Sequence, residues 1–227
     1  MPSSTLSRSS VTRVALLAAV IAPAVFIPLD MVDALLRPDY SFTRHWVSHL
    51  ALGRWGWIGT IVLATTTVLC AAGALGLLFA LRRARGRIAA AVSALIASAG
   101  LAIATAFPMD PSLGFPAGAT EGVANVPGLI HQIAGPVFIV GLAIALLTSP
   151  RSLRSIGGPV TSGAFRAAGI ASLAIFVLCS VLVSLDYAQV WPAAPSGLAE
   201  RLAIYIGLVG VAVLAFRVRR HGTQLSA

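Results

Sequence analysis

The chain has 227 residues, of which 58% are apolar and only 10% charged, and its formal net charge is +9. Soluble domains carry about 25% charged residues, so this composition excludes a water-soluble globular protein. All 16 basic residues are arginine and cluster in short segments between apolar runs, and no basic face with interleaved aromatic residues is present. The basic charge is therefore typical of a membrane protein facing lipid headgroups and argues against nucleic-acid binding.

Six apolar runs follow one another along the chain, each near the ~20 residues that a helix needs to cross the hydrocarbon core. Their approximate bounds are 13–36, 56–81, 88–107, 127–148, 166–187 and 198–216. The sequence predicts an all-α fold, a polytopic transmembrane bundle of six helices forming one domain over 13–217. Residues 1–12 are predicted to be a disordered tail and 218–227 a second tail.

The arginines also predict the orientation of the bundle. Twelve of the 16 lie in the two tails or next to them, at Arg13 and Arg217, and in the connections near 82–87 and 151–166. Because cytoplasmic segments are enriched in basic residues, we expect both the N- and the C-terminus to be cytoplasmic in a multi-pass protein of the cell membrane. The acidic residues, and all histidines except His221, then lie on the outer side.

The connection between the first two spans is rich in reactive side chains. If residues 42–52 form an α-helix, His45, Ser48 and His49 share one face. Two histidines four residues apart are a common metal-binding arrangement, with His131 or Asp110 as a third ligand. The plainer alternatives are that the histidines are hydrogen-bonded interfacial residues and that Ser48 caps a helix.

Further ionisable residues lie at the outer ends of the later spans. Asp110 ends span three, His131 begins span four, and Glu200 and Arg201 open span six. Partly desolvated carboxyl groups are suited to general acid catalysis, although Asp110 equally fits a turn-capping role and Glu200 a helix-dipole role. Asp186, at the end of span five, is expected to pair with Arg201 or Arg44.

These residues suggest a polar site at the outer ends of the spans that acts on a lipid or isoprenoid-like substrate entering from the membrane. Acid–base cyclisation or rearrangement and hydrolysis both remain open, as does the cofactor. The candidate catalytic residues are Asp110, His131, Glu200, Ser48 and His49. The candidate substrate-binding residues are Arg44, Trp46, Trp55, Arg201 and Asp186, and the weak metal candidates are His45, His49 and His131.

Two non-enzymatic alternatives remain at this point. In the first, the protein is a small transporter or a structural or sensory protein whose polar cluster stabilises the bundle. In the second, it is a haem protein in which His45 or His49 pairs with His131. Trp46 and Trp55 also fit an interfacial aromatic belt.

Four short motifs carry a resemblance to a known family. They are VSHLALGRWGW at 47–57, FPMDP at 107–111, the start of span four with His131, and GLAERL at 197–202. Together they resemble the bacterial membrane proteins of domain-of-unknown-function family 998 over roughly 13–216. The resemblance implies a six-span fold and no established activity.

The family pattern has an acidic residue at the position of His49, so this chain departs from it there. The chain is also distantly similar to Frag1 and DRAM-type membrane proteins. A weaker likeness to membrane hydrolases built on Ser, Asp and three His would make Ser48, Asp110 and His131 site residues. That likeness lacks the paired C-terminal histidines, since only His221 is present there.

Overall fold

The computed structural model describes residues 8–81, 88–120, 124–154 and 162–222. It confirms the predicted all-α fold, because the described residues form six long helices and no strand. The helices are α1 (Arg8–Leu36), α2 (Gly56–Leu81), α3 (Ala89–Ala106), α4 (Val126–Arg154), α5 (Ser162–Tyr187) and α6 (Ser196–Gly222). Each is long and apolar enough to cross a membrane, so the protein is an integral, multi-pass membrane protein.

The helices extend beyond several of the predicted spans. α1 begins at Arg8, inside the segment predicted to be a disordered tail, and residues 1–7 lie outside the described part of the chain. α6 continues to Gly222, into the predicted second tail. Helices can be longer than the apolar runs within them, because polar residues can extend a helix beyond the hydrocarbon core. The cytoplasmic location of the termini stays a prediction.

The bundle is formed mainly by packing between helices that follow one another along the chain. Each helix packs against the next one, α6 returns to α1, and α4 also contacts α6. Small residues allow close approach, as the Ala- and Gly-rich composition of span three predicts. A Cβ atom on Gly141 of α4, for example, would lie 2.8 Å from the Cβ of Ala97 in α3.

We call residues 37–55, which cover one end of the bundle, the cap. The cap is not the α-helix that was considered for 42–52: only a short 3-10 helix forms, over Val47–Ala51. Several carbonyl groups of the cap accept hydrogen bonds from arginine side chains rather than from the backbone N–H groups of a helix. Arg37 donates to the carbonyl oxygens of Leu50 at 2.7 Å, Leu52 at 3.2 Å and Trp55 at 2.9 Å.

Three ion pairs, two of them buried on both sides, fix the cap to the bundle. Arg37 pairs with Asp33 of α1 at 2.9 Å. Arg201 of α6 pairs with Asp30 of α1 at 3.0 Å and donates to the cap carbonyls of Phe42 and His45. Arg44 of the cap pairs with Asp186 of α5 at 2.7 Å, as the sequence suggested for one of its two possible partners. Irregular backbone at the end of a membrane bundle needs such donors, because its carbonyls would otherwise be unsatisfied.

Candidate functional site

A cavity of about 310 Å³ lies beneath the cap, between α4, α5 and α6. This volume is at the lower end of the range for small-molecule sites, ~300–1,000 Å³. Its polar lining includes Ser48, His131, Gln132, Ser180, Ser184 and Glu200, and its apolar lining includes Met109, Ile139, Phe176 and Val183. Three of the residues predicted to be catalytic, Ser48, His131 and Glu200, therefore share one space.

The cavity opens on the surface of the bundle between α4 and α5. Three of its polar lining residues, Gln132, Ser180 and Ser184, are exposed on the surface of the bundle. Further along, the two helices close tightly, since a Cβ on Gly169 would lie 2.9 Å from the carbonyl oxygen of Ala143. The helices thus separate only toward the cap, which leaves a lateral entrance with a polar rim.

His131 is held in one orientation by the end of α3. Its Nδ1 donates to the carbonyl oxygens of Ala104, at 2.8 Å, and Phe107, at 2.9 Å. Because carbonyls only accept, the proton is on Nδ1 and the lone pair is on Nε2. Nε2 makes no hydrogen bond within the described residues, so it is available to accept a proton in the cavity.

Glu200 and Ser48 meet at the junction of α6 and the cap. One oxygen of Glu200, Oε2, accepts the backbone N–H of Val47 at 2.7 Å. Its other oxygen has no hydrogen-bond partner in the described part of the chain, and neither has the Ser48 hydroxyl. The carboxyl group therefore both ties the cap to α6 and presents a free oxygen beside the cavity.

Trp46 supplies a donor on the same wall. Its indole Nε1 is buried and finds no partner among the described residues. A buried donor left unpaired costs about 1–3 kcal/mol, and this residue lines the cavity. A bound molecule with an acceptor atom would remove that cost.

His45 and His49 occupy a different place, inside the cap itself. His45 accepts from the Ser41 N–H and donates to Leu113 O at 3.0 Å. His49 accepts from the Trp46 N–H and donates to the Ser112 hydroxyl at 2.9 Å. Both nitrogens of each ring are thus occupied, so a metal or haem ligand here would have to break existing hydrogen bonds.

The described residues contain no group of three or more His, Cys, Asp or Glu placed to hold a metal. Burial lowers the pKa of His49 to about 3, with the nearby His45 adding to the effect. Burial also lowers the pKa of His45. Both rings are therefore neutral at physiological pH and serve as hydrogen-bonding parts of the cap.

The low pKa of His49 predicts an acid-dependent loss of stability. An unfolded histidine has a pKa of about 6.5, so the unfolded state binds more protons between pH 6.5 and pH 3, and stability falls as the pH is lowered through that window. At pH 5 the expected loss from His49 is about 2 kcal/mol relative to pH 7.5. The free energy of unfolding in mixed micelles, measured at both pH values, should show a smaller pH dependence for His49→Gln. An equal dependence in both proteins would contradict the assignment.

Asp110 lies near the cavity but does not line it. Its Oδ2 accepts the backbone N–H of Asn125 at 3.3 Å at the start of α4, and its Oδ1 is buried without a partner among the described residues. A side chain on Gly128 would overlap this carboxylate. The position gives Asp110 a structural role at the start of α4, because a carboxylate is stabilised at a helix N-terminus.

Like Asp110, most of the predicted substrate-binding residues lie outside the cavity lining. Arg44 pairs with Asp186, and Arg201 pairs with Asp30 and binds the cap. None of Arg44, Arg201 and Asp186 lines the cavity. Trp55 is 51% exposed and lies beneath the Arg54 guanidinium. Of the set, Trp46 alone contributes to the lining.

Sequence reasoning missed the α5 wall of the cavity. The α5 lining residues lie at positions i, i+4, i+7 and i+8, so they form a stripe on one helical face. They are Phe176, Ser180, Val183 and Ser184. Two serines four residues apart in an otherwise apolar span, together with Gln132 in span four, were the available signal. No sequence pattern indicates that α4 and α5 separate there.

Comparison with protein families settles the resemblance. Residues 20–217 match the family model described as "Protein of unknown function (DUF998)", which covers most of the chain. The protein belongs to the DUF998 family. For this DUF998 protein, no curated protein and no solved structure gives a match.

Proposed function

We propose that this DUF998 protein binds a lipophilic small molecule in the cavity beneath the cap and performs acid–base chemistry on its polar head. The observation that carries the proposal is that Ser48, His131 and Glu200 line one cavity with a polar rim on the surface of the bundle. A substrate dissolved in the membrane would enter between α4 and α5 with its apolar part against Ile139 and Phe176. Its head would then contact the three polar groups.

The roles follow from the hydrogen bonds already described. His131 Nε2 is the proton acceptor, since Nδ1 is fixed as a donor by two carbonyls. Glu200 is the second proton-carrying group, and Ser48 and the Trp46 N–H orient the head. This arrangement supports an isomerisation, a cyclisation or a hydrolysis, and the substrate head decides among them.

A cavity-filling substitution tests the binding step. A Cβ on Gly135, which lines the cavity, meets no atom within 4 Å. Gly135→Leu should therefore occupy the cavity, at some local cost in α4 because Pro136 follows it, and lower the affinity for the lipophile by roughly tenfold or more, about 1.4 kcal/mol per tenfold. Native mass spectrometry of protein extracted from membranes measures the retained lipophile.

Gly163→Leu is the matched control, because a Cβ there also meets nothing within 4 Å and Gly163 is not among the cavity lining. If Gly135→Leu and the wild type retain the same lipophilic molecules in equal amounts, the cavity is not the binding site. If only the Gly135→Leu protein loses one molecule while bulk lipids stay, the proposal is supported.

The catalytic step is tested separately with His131→Asn and Glu200→Gln. The asparagine amide can still donate to the Ala104 and Phe107 carbonyls but lacks the Nε2 acceptor, and the glutamine can still accept from Val47 N–H. Both variants should convert the bound lipophile at least 100-fold more slowly, in line with the general acid–base contribution of about 10²–10⁴, and His131→Asn should still bind it. Binding without conversion by the wild type would instead identify a carrier or sensor.

A further inference from the structure

The cavity is charged in one sense only. Three arginines near the cap form ion pairs elsewhere: Arg37 with Asp33, Arg44 with Asp186 and Arg201 with Asp30. Arg54 is exposed over the Trp55 ring. None of these four arginines lines the cavity, and among the described residues Glu200 is its single carboxylate. A phosphate or carboxylate head would thus meet a negative group and no positive one.

The acceptors around the head position match a particular donor. Glu200 Oε1, His131 Nε2 and the Ser48 hydroxyl all lack partners among the described residues and line the same cavity. A primary ammonium group carries one positive charge and three N–H donors, so it offers one donor for each of these acceptors. The Trp46 N–H, itself a donor, is left for an acceptor elsewhere on the ligand. It also supplies the counter-ion that a carboxylate at this depth lacks.

We propose that the cavity recognises a lipophilic primary amine, with Glu200 as the counter-ion of its ammonium group. The inference rests on the proposed function and adds the class of ligand. The alkyl part of the amine would lie along Ile139, Phe176 and Val183 toward the lateral entrance. The exposed Ser180 and Ser184 then lie where the alkyl chain of the amine leaves the bundle.

Single-chain amphiphiles with different heads test this. The protein in lipid nanodiscs at neutral pH is titrated with dodecylamine, dodecyltrimethylammonium, dodecanol and dodecyl phosphate, and the melting temperature is recorded. A ligand that binds only the folded state raises the melting temperature with concentration. We expect dodecylamine to give the largest shift, because the trimethylammonium has the charge but no N–H donor and the alcohol has no charge.

Two substitutions locate the effect. Glu200→Gln should weaken dodecylamine binding by roughly tenfold or more while leaving dodecanol unaffected. Asp39→Asn is the matched control, because Asp39 is an exposed carboxylate of the cap outside the cavity, and it should leave both ligands unaffected.

The outcomes separate the two proposals. Equal shifts for the amine and either the trimethylammonium or the alcohol, a larger shift for the phosphate, or full amine binding by Glu200→Gln would each overturn the amine inference and leave the binding cavity in place. If none of the four amphiphiles shifts the melting temperature, the proposed function fails as well.

Discussion

Replacement of Arg201 by methionine is expected to cost the protein about 3–5 kcal/mol of unfolding free energy, the usual cost of removing one partner of a buried ion pair. The guanidinium is 1% exposed and pairs with Asp30, which is equally buried. Methionine is close in shape but leaves the Asp30 carboxylate without its cation. It also removes the donors to the cap carbonyls of Phe42 and His45.

A double-mutant cycle separates this ion pair from a general packing defect. Asp30→Asn alone strands the Arg201 charge and should be destabilising to a similar degree, whereas the Asp30→Asn, Arg201→Met double variant removes both charges. The double variant should therefore lose clearly less than the sum of the single losses. Unfolding by SDS titration in mixed micelles gives the required free energies.

Arg54→Met is the matched control, since Arg54 is an exposed arginine of the cap and surface substitutions usually stay within about 0.5 kcal/mol. A loss of less than about 1 kcal/mol for Arg201→Met would contradict the structural role assigned to this residue. Arg201 would then be free for the substrate-binding role that the sequence suggested.

The contrast between the helices and the cap explains what the sequence can predict. A backbone that crosses lipid must satisfy its own hydrogen bonds, so apolar length alone predicts a helix. All six spans follow from that constraint. The family follows from short motifs whose order and spacing are preserved, and the match over residues 20–217 confirms it.

The cap follows from no such local rule. Its shape depends on partners far away in sequence, such as Arg201 and Asp30, and on carbonyls that accept from arginines. Both kinds of contact are invisible in a linear pattern. The sequence offers Arg201 as a candidate substrate-binding residue and His45 and His49 as weak metal candidates or hydrogen-bonded residues. In the structure Arg201 donates from α6 to the cap, and both histidines are hydrogen-bonded within it.

The candidate site was partly predictable for a related reason. Ionisable and polar groups at membrane depth are functional candidates, so the sequence predicts site roles for Ser48, His131 and Glu200. The cavity brings these three residues together. Asp110 met the same criterion but lies at the start of α4, where a helix N-terminus accounts for it. Side-chain chemistry identified the candidates, and only the packing of α4 against α5 and the cap selected among them.

Substitution of Gly197 by alanine is expected to damage both the fold and the cavity. Gly197 lies in the first turn of α6, and a Cβ there would overlap the backbone carbonyl of His45. Neither group is a flexible side chain end, so α6 and the cap must move apart. Overpacking of this kind typically costs about 1–3 kcal/mol.

The displacement of the cap from α6 should also change the shape of the cavity. Besides the Arg201 hydrogen bonds, α6 is joined to the cap by the Leu198 N–H donating to Thr43 O at 2.9 Å and the Val47 N–H donating to Glu200 at 2.7 Å. Because Trp46 and Ser48 form the cap wall of the cavity, their displacement should weaken lipophile binding together with stability. A Gly197→Ala protein that unfolds like the wild type would show that the cap is not pressed against α6.

Gly163→Ala supplies the control of opposite sign. Gly163 is the second residue of α5, as Gly197 is of α6, and a Cβ there meets nothing within 4 Å, so alanine should stabilise the helix by up to about 1 kcal/mol. The two substitutions add the same methyl group to a helical glycine, and only the space around each differs. Opposite shifts in the SDS unfolding midpoint would therefore assign the loss in Gly197→Ala to the contact with the cap, and equal shifts would assign it to glycine replacement in general.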